Sequence, residues 1–341
     1  MKIGSFDLDN DGVFIIAEMS ANHNGKLQNA LDAIKAAKEI GANCIKLQTY
    51  TADTITLDCK KEDFLINYDT LWDGMYLYDL YKEASTPWEW HEELFDYARS
   101  LGIDIFSSPF DKSAVDFLEQ FNPSAYKIAS FEITDYELIR YIASKGRPMI
   151  ISTGIAKFDE IQDAVDICRS EGNNDIVLLK CTSSYPAPLN EANLMTIPDL
   201  SKTFDLVSGF SDHTIGITAP IMAATLGAKV IEKHFILDRS LGGPDSDFSM
   251  NKQEFRQMVE SVRESEKLLG KVDYALTEKK KKSRRFSRSL YVSKDIKKGE
   301  KFTEENIRSI RPGYGMHPKN LSNILGTISE KDYEFGDRLV L

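Results

Sequence analysis

Eight short apolar runs, each followed by a longer amphipathic stretch, occupy residues 14–265 of this chain. They read FIIAEM (14–19), CIKLQTY (44–50), IDIFSSPF (103–110), AYKIAS (125–130), PMIISTG (148–154), IVLLKCTSS (176–184), LVSGFSD (206–212) and VIEKHFI (230–236). Their length and β-branched content suit strands buried on both faces. Between them the helical period recurs. Residues 29–41 place Ala30, Ile34, Ala37 and Ile40 on one stripe, and Gly41 stops the helix. Residues 88–102, 112–121, 158–171, 217–227 and 252–269 read in the same way. Strand–helix alternation repeated eight times over about 250 residues predicts an α/β chain of the (β/α)8, or TIM-barrel, class. An open doubly wound sheet is the alternative, but no GxGxxG fingerprint supports it.

The segment 51–87 is long for a connection and rich in Tyr, Trp and Asp, which predicts an active-site loop with local helix. Near its other end the chain turns basic and polar at EKKKKSRRFSR (278–288), read as a solvated linker. Strand-like pieces then alternate with KKGE and FGD turns. The expected division is a catalytic barrel over 1–272, a linker over 273–285 and a small domain over 286–341. A piece of that size makes a marginal core, so it is expected to dock on something.

Of the 341 residues 42% are hydrophobic, enough for one large core and a small second one. The formal net charge of −11 argues against general nucleic-acid binding, which needs a basic surface. The longest apolar runs, such as 148–151 and 219–226, fall far short of a membrane span. The start MKIGSFDLDNDG lacks the pattern of a signal peptide, so a cytoplasmic location is expected. Cys44, Cys59, Cys168 and Cys181 form no CxxC pair and are read as free thiols.

Barrel active sites lie at the C-terminal ends of the strands. Collected by strand, those ends carry Glu18; Lys46 and Gln48; Ser107 and Ser108; Lys127, Ser130 and Glu132; Ser152 and Thr153; Thr182, Ser183, Ser184 and Tyr185; Ser211, Asp212 and His213; and Glu232 and His234. Lys46 and Lys127 stand inside apolar strands, where an ammonium is costly without an anionic partner. Among short hydroxyls they read as a phosphate cradle. A lysine that forms a Schiff base is the rival reading. His213 and His234 end adjacent strands, and with a carboxylate or water they suit Mn, Zn, Fe or Co. Glu18, Glu132, Asp245 and Asp247 are placed to bind sugar hydroxyls, although the last two also read as solvated loop. His91, on an outer helix, reads as structural.

These segments resemble the sialic acid synthase family over essentially the full length. The resemblance rests on IIAEMSANHNG (15–25), IKLQTY (45–50), FSSPF (106–110), YKIASFE (126–132), STGIA (152–156), LKCTSSYP (179–186), GFSDHT (209–214) and EKHF (232–235). SLYVSKDIKKGEKFTEENIRSIRPGYG (289–315) resembles the antifreeze-like (SAF) domain that ends these enzymes. The resemblance implies a transferase that condenses phosphoenolpyruvate with an amino-sugar aldehyde, with C–O cleavage and release of phosphate. It also implies a divalent metal (Mn, Mg or Co) on His213 and His234. Phosphoenolpyruvate contacts map onto Lys46, Ser108, Lys127, Ser130, Ser152 and Ser211. Sugar contacts map onto Glu18, Glu132, Tyr185 and Asp245. A domain-swapped homodimer is implied, with Arg311 reaching the partner's barrel.

Ser183 stands at a phosphate-contact position where the neuraminate branch has Asn. SANHNG resembles the pseudaminate branch, whose sugar is 2,4-diacetamido-2,4,6-trideoxy-L-altrose. The Trp72–Tyr78 loop lacks the neuraminate branch's sugar-binding Asn, and an aromatic loop suits a deoxygenated sugar. Synthesis of N-acetylneuraminate or legionaminate is the nearest alternative. A Schiff-base aldolase is the rival from another class, and a ligand-binding tail on an inert barrel is the non-enzymatic one.

Overall fold

The computed structural model describes residues 1–67 and 70–340. The chain divides into two compact units, Met1–Gly270 and a second beginning at Lys271.

The first unit is a closed barrel of eight parallel strands, each paired with the next in chain order and the last paired with the first. These are β3 (Phe14–Glu18), β4 (Cys44–Thr49), β5 (Asp104–Pro109), β6 (Tyr126–Ile128), β7 (Met149–Ser152), β8 (Ile176–Cys181), β9 (Val207–Asp212) and β10 (Val230–His234). The expected barrel is therefore present, with each of the eight apolar runs forming one strand. The helices are α1 (Leu27–Glu39), α2 (Ala52–Ile55), α3 (Leu77–Ala84), α4 (His91–Leu101), α5 (Lys112–Glu119), α6 (Tyr136–Ala143), α7 (Phe158–Ser170), α8 (Thr196–Phe204), α9 (Thr218–Thr225) and α10 (Lys252–Leu269).

Side chains alternate between the two faces of a strand. Ile15, Ala17, Ile45, Leu47, Ile105, Ile128, Ile151, Leu178 and Ile231 face outward and share a core with α1, α4, α6 and α10. Phe14, Ile16, Cys44, Phe106, Ala125, Ile150, Val177, Leu179 and Val230 fill the barrel interior. Each large apolar side chain so buried contributes on the order of 1.5–3 kcal/mol. Ile3 and Leu8 join this inner cluster from a hairpin of β1 (Lys2–Ile3) and β2 (Phe6–Asp7), which closes the N-terminal end. That hairpin, α6 and α8 are additions to the elements expected from periodicity.

The expected active-site segment 51–87 holds α2 and α3, with Tyr68 and Asp69 outside the described residues. The stretch read as a solvated linker is exposed but not structureless, since it forms α11 (Glu278–Ser283). The second unit pairs β11 (Ser289–Val292) with β12 (Ile307–Ile310), followed by α12 (Leu321–Ile324). Leu290, Val292, Ile296, Phe302, Ile307, Ile324, Tyr333 and Leu339 form its small core.

Candidate active site

The strand alternation that sends apolar residues inward at the bottom of the barrel sends polar ones inward at the top. Following Phe14 and Ile16, the next inward side chain of β3 is Glu18. After Cys44 on β4 come Lys46 and Gln48. Phe106 gives way to Ser108, Ala125 to Lys127, Ile150 to Ser152, Leu179 to Cys181, and Val230 to Glu232 and His234. A polar layer therefore caps an apolar one inside the same cylinder, and nearly all of it is buried.

Two ammonium groups share one carboxylate there. Glu232 Oε1 lies 3.1 Å from Lys46 Nζ and 3.7 Å from Lys127 Nζ. It also accepts from Ser211 Oγ at 3.2 Å. Lys46 Nζ reaches Glu18 Oε2 at 3.2 Å and Ser108 Oγ at 3.5 Å. Lys127 Nζ donates to Ser152 Oγ at 2.7 Å and to the Ile128 carbonyl at 3.1 Å. Gln48 Nε2 donates to Glu18 Oε1 at 2.8 Å and to Ser20 Oγ at 2.9 Å. Ser130 Oγ accepts from the Gly154 amide at 3.1 Å. A Cβ on Gly154, just after β7, would meet Ser183 Oγ and Ser130 Oγ, so a larger residue there would have to turn these hydroxyls away.

Burial works to protonate Glu232, yet the two lysines outweigh it and hold the carboxyl at about 2. Glu18 is pushed up to about 7 by burial and by repulsion from Glu232, with Lys46 only partly offsetting this. Burial also opposes the charge on Lys46, but Glu18 and Glu232 more than compensate and hold its pKa above the ordinary value. Lys127 lies below its ordinary value because burial exceeds the attraction of Glu232. Glu132 is raised to about 7 and Asp245 is raised as well, both by burial.

Beside this cluster, the His213 and His234 rings stand 5.4 Å apart. The Tyr185 ring lies 4.3 Å from His213 and 5.2 Å from Phe248, and Trp72 lies 5.8 Å from Tyr185. Asp245 Oδ2 is 3.7 Å from His234 Nδ1. Asp245 is buried while Asp247 is exposed, so a solvated position describes Asp247 and not Asp245. Asn22 Nδ2 donates to Ser249 Oγ, whose hydroxyl donates to the Asp245 carbonyl, so the SANHNG turn holds the Asp245 loop in place.

Among the described residues no group of three or more His, Cys, Asp and Glu side chains forms a complete metal site. The two histidines nevertheless suit a cation completed by water or substrate. His213 Nδ1 must donate to the Thr182 carbonyl at 2.9 Å, so the neutral form of the ring carries its lone pair on Nε2; burial opposes protonation of the ring, but Cys181 and the Thr182 carbonyl outweigh it and hold the pKa above the ordinary value. Nδ1 of His234 is buried and has no hydrogen-bond partner among the described residues, and burial holds that imidazole neutral, well below its ordinary value.

Of the residues expected at the site, Glu18, Lys46, Ser108, Lys127, Ser130, Glu132, Ser152, Ser183, Tyr185, Ser211, His213, His234 and Asp245 all belong to the upper barrel layer or its loops. Arg311 lies in the second unit and is exposed there. Glu232 and Gln48 also stand at strand ends, where the sequence alone assigns them no role. Their inward parity with His234 and Lys46 is the signal that marks them. Cys181, with Sγ 3.8 Å from His213 Nδ1, is a third inward group that carried no such assignment.

Residues 33–274, which span most of this eight-strand barrel and its polar mouth, match the NeuB family, to which the chain belongs. Residues 287–334 match the SAF domain. The chain is 52% identical over 339 residues to the pseudaminic acid synthase of Campylobacter jejuni subsp. jejuni serotype O:23/36 (strain 81-176), covering 99% of this chain and 98% of that protein. It is 50% identical over 318 residues to the pseudaminic acid synthase of Helicobacter pylori (strain ATCC 700392 / 26695), covering 93% of each. The crystal structure of an N-acetylneuraminic acid (sialic acid) synthetase from Leptospira borgpetersenii serovar Hardjo-bovis superposes with a TM-score of 0.73 at 30% identity, covering 83% of this chain and 94% of that one.

Proposed function

We propose that the chain makes pseudaminic acid, joining phosphoenolpyruvate to 2,4-diacetamido-2,4,6-trideoxy-L-altrose with release of phosphate. The substrate is supported by 52% identity along nearly the whole chain to a protein of that activity. The chemistry is supported by one observation above all: two buried ammonium groups converge on a single carboxylate beside two histidines of adjacent strands.

Lys46 and Lys127 hold the phosphate of phosphoenolpyruvate, with Ser108, Ser130, Ser152, Ser183 and Ser211 as short donors around it. Glu132, Tyr185 and Asp245 orient the open-chain sugar. A divalent cation on His213 and His234 (Mn, Mg or Co) would polarise the aldehyde oxygen. The enol carbon of phosphoenolpyruvate forms the new bond to the aldehyde carbon as the aldehyde π bond opens, its oxygen takes up a proton to become a hydroxyl, and positive charge develops at the phosphate-bearing carbon. Glu18 takes a proton from the water that adds there. Collapse of that adduct breaks the C–O bond, and the lysines stabilise the departing phosphate.

We infer further that the enzyme is a cytoplasmic homodimer in which the second unit of each copy caps the partner's barrel, with Arg311 entering the site and residues 273–285 as connector. Residues 271–341 contain 17 Lys and Arg against 10 Asp and Glu, although the whole chain has 42 against 53, so the barrel is strongly acidic and the tail basic. Phe131, Ile155, Leu189 and Ile215, on loops after four different strands, are exposed around the barrel mouth, where a cap would bury them.

The decisive measurement is phosphate release from phosphoenolpyruvate with the altrose derivative, with and without a chelator. The sugar precursors of N-acetylneuraminate and legionaminate serve as competitors. Preference for either competitor would move the chain to that branch. Release without any sugar would mean simple hydrolysis. The lowered pKa of Lys127 keeps a Schiff-base aldolase in view. Borohydride trapping of a pyruvate adduct, without phosphate release, would establish that reading instead.

A further inference from the structure

On the outer face of the barrel, the position behind the histidines is not apolar. Lys233 Nζ donates to Asp212 Oδ2 at 2.5 Å and to the Thr214 carbonyl at 2.6 Å. Asp212 Oδ1 accepts from the Thr214 amide at 2.8 Å. Lys233 and Asp212 are each 1% exposed. Outward residues on the same strands and their neighbours, such as Ile231, Phe210, Leu178 and Ala17, are apolar, as the layer against the helices requires.

A buried ion pair is a poor route to stability, because desolvating both charges offsets most of their attraction. Its position is informative instead. Lys233 and Asp212 are direct register partners on β10 and β9. The next residue on each strand is one of the two histidines, pointing to the opposite face. Two of these hydrogen bonds tie the residues on both sides of His213, Asp212 and Thr214, to the residue just before His234, and the third ties Thr214 to Asp212.

We propose that the Lys233–Asp212 pair is a positioning device that fixes the two strand ends so that the His213 and His234 imidazoles converge on one divalent cation. This rests on the metal reading given above. The pair touches no substrate and no reacting atom. It acts by limiting how far the two backbone segments can splay or slide, in the way that outer contacts orient metal-binding side chains.

The test uses full-length protein dialysed against a chelator, with Mn2+ and phosphoenolpyruvate each titrated by calorimetry and a thermal melt recorded alongside. Lys233→Met and Asp212→Asn are each expected to weaken Mn2+ binding at least tenfold. Phosphoenolpyruvate affinity should stay within threefold of wild type, because Lys46, Lys127 and their hydroxyl partners Ser108 and Ser152 stand on other strands and, of the assigned phosphate donors, Ser211 alone adjoins the pair. A variant that melts cooperatively and binds Mn2+ within twofold of wild type would overturn the proposal. Should Lys233→Met fail to fold, Asp212→Asn, which conserves volume and an acceptor, decides. Failure of both to fold would make the pair a folding element only. Wild-type protein that binds no Mn2+, or binds it equally well as His234→Ala, would remove the metal reading itself and this proposal with it. Loss on His234→Ala but not on either pair variant would remove this proposal alone.

Discussion

Lys46 and Glu232 meet at 3.1 Å across the barrel interior although β4 and β10 are not neighbours, because β3 lies between them and adds Glu18 to the same ammonium. Glu232 thus joins two lysines that would otherwise be buried like charges. Glu232→Gln should cost about 3–5 kcal/mol of stability at neutral pH, the scale for removing one partner of a buried pair. The sign follows from a carboxyl held down to about 2 in the fold. Its contribution is complete above the unfolded value near 4.5 and is lost as pH falls through about 2. Urea denaturation of wild type and variant should therefore differ most at pH 7, and the gap should narrow below about pH 4.5. A gap that stays constant between pH 7 and pH 3 would contradict the assignment.

Among the described residues, Lys127 donates to Ser152 and forms its one ion pair with the shared carboxylate. Lys127→Ala should lower kcat/KM for phosphoenolpyruvate by roughly 30- to 1000-fold, the equivalent of about 2–4 kcal/mol of transition-state stabilisation. Phosphate release measures this directly. Turnover within about threefold of wild type would mean that Lys127 does not hold the phosphate.

Glu18 and Glu232 compete for Lys46, and the shared proton belongs on Glu18, which has one ammonium against two for Glu232. With Glu18 raised to about 7, a proton-accepting role requires activity to rise with pH through neutrality. The acid limb of kcat against pH should vanish in Glu18→Gln at a much reduced plateau. Glu132 is also raised to about 7 but faces the sugar in the proposed pose, so Glu132→Gln should raise the sugar KM and keep that limb. A limb unchanged in Glu18→Gln would assign the base elsewhere.

The barrel was legible because its strands are buried on both faces and read as uninterrupted apolar runs such as PMIISTG and IVLLKCTSS. The two-residue strands β1 and β2 are too short for any period to register. Helix α8 begins with Thr196-Ile197-Pro198, and a proline in the first turn disguises a helix it does not break. At the site, Lys46 and Lys127 stood out as charges in apolar strands. The roles of Glu232 and of the Lys233–Asp212 pair arise from contacts between residues tens of positions apart, and strand parity alone could separate the inward Glu232 from the outward Lys233.

The two-subunit arrangement can be tested without knowing how the units pack. If Arg311 completes the partner's barrel, Arg311→Ala and Lys127→Ala should each be nearly inactive as pure dimers. A mixed dimer places Lys127 and the partner's intact arginine at one mouth and collects both lesions at the other. Random reassembly from equal amounts forms mixed dimers about half the time, each with one working site, so activity should recover to about a quarter of wild type. Refolding the two variants together and apart and measuring phosphate release gives the comparison. If Arg311 instead served its own barrel, every subunit in the mixture would carry one lesion in its own site. Co-refolding would then restore nothing.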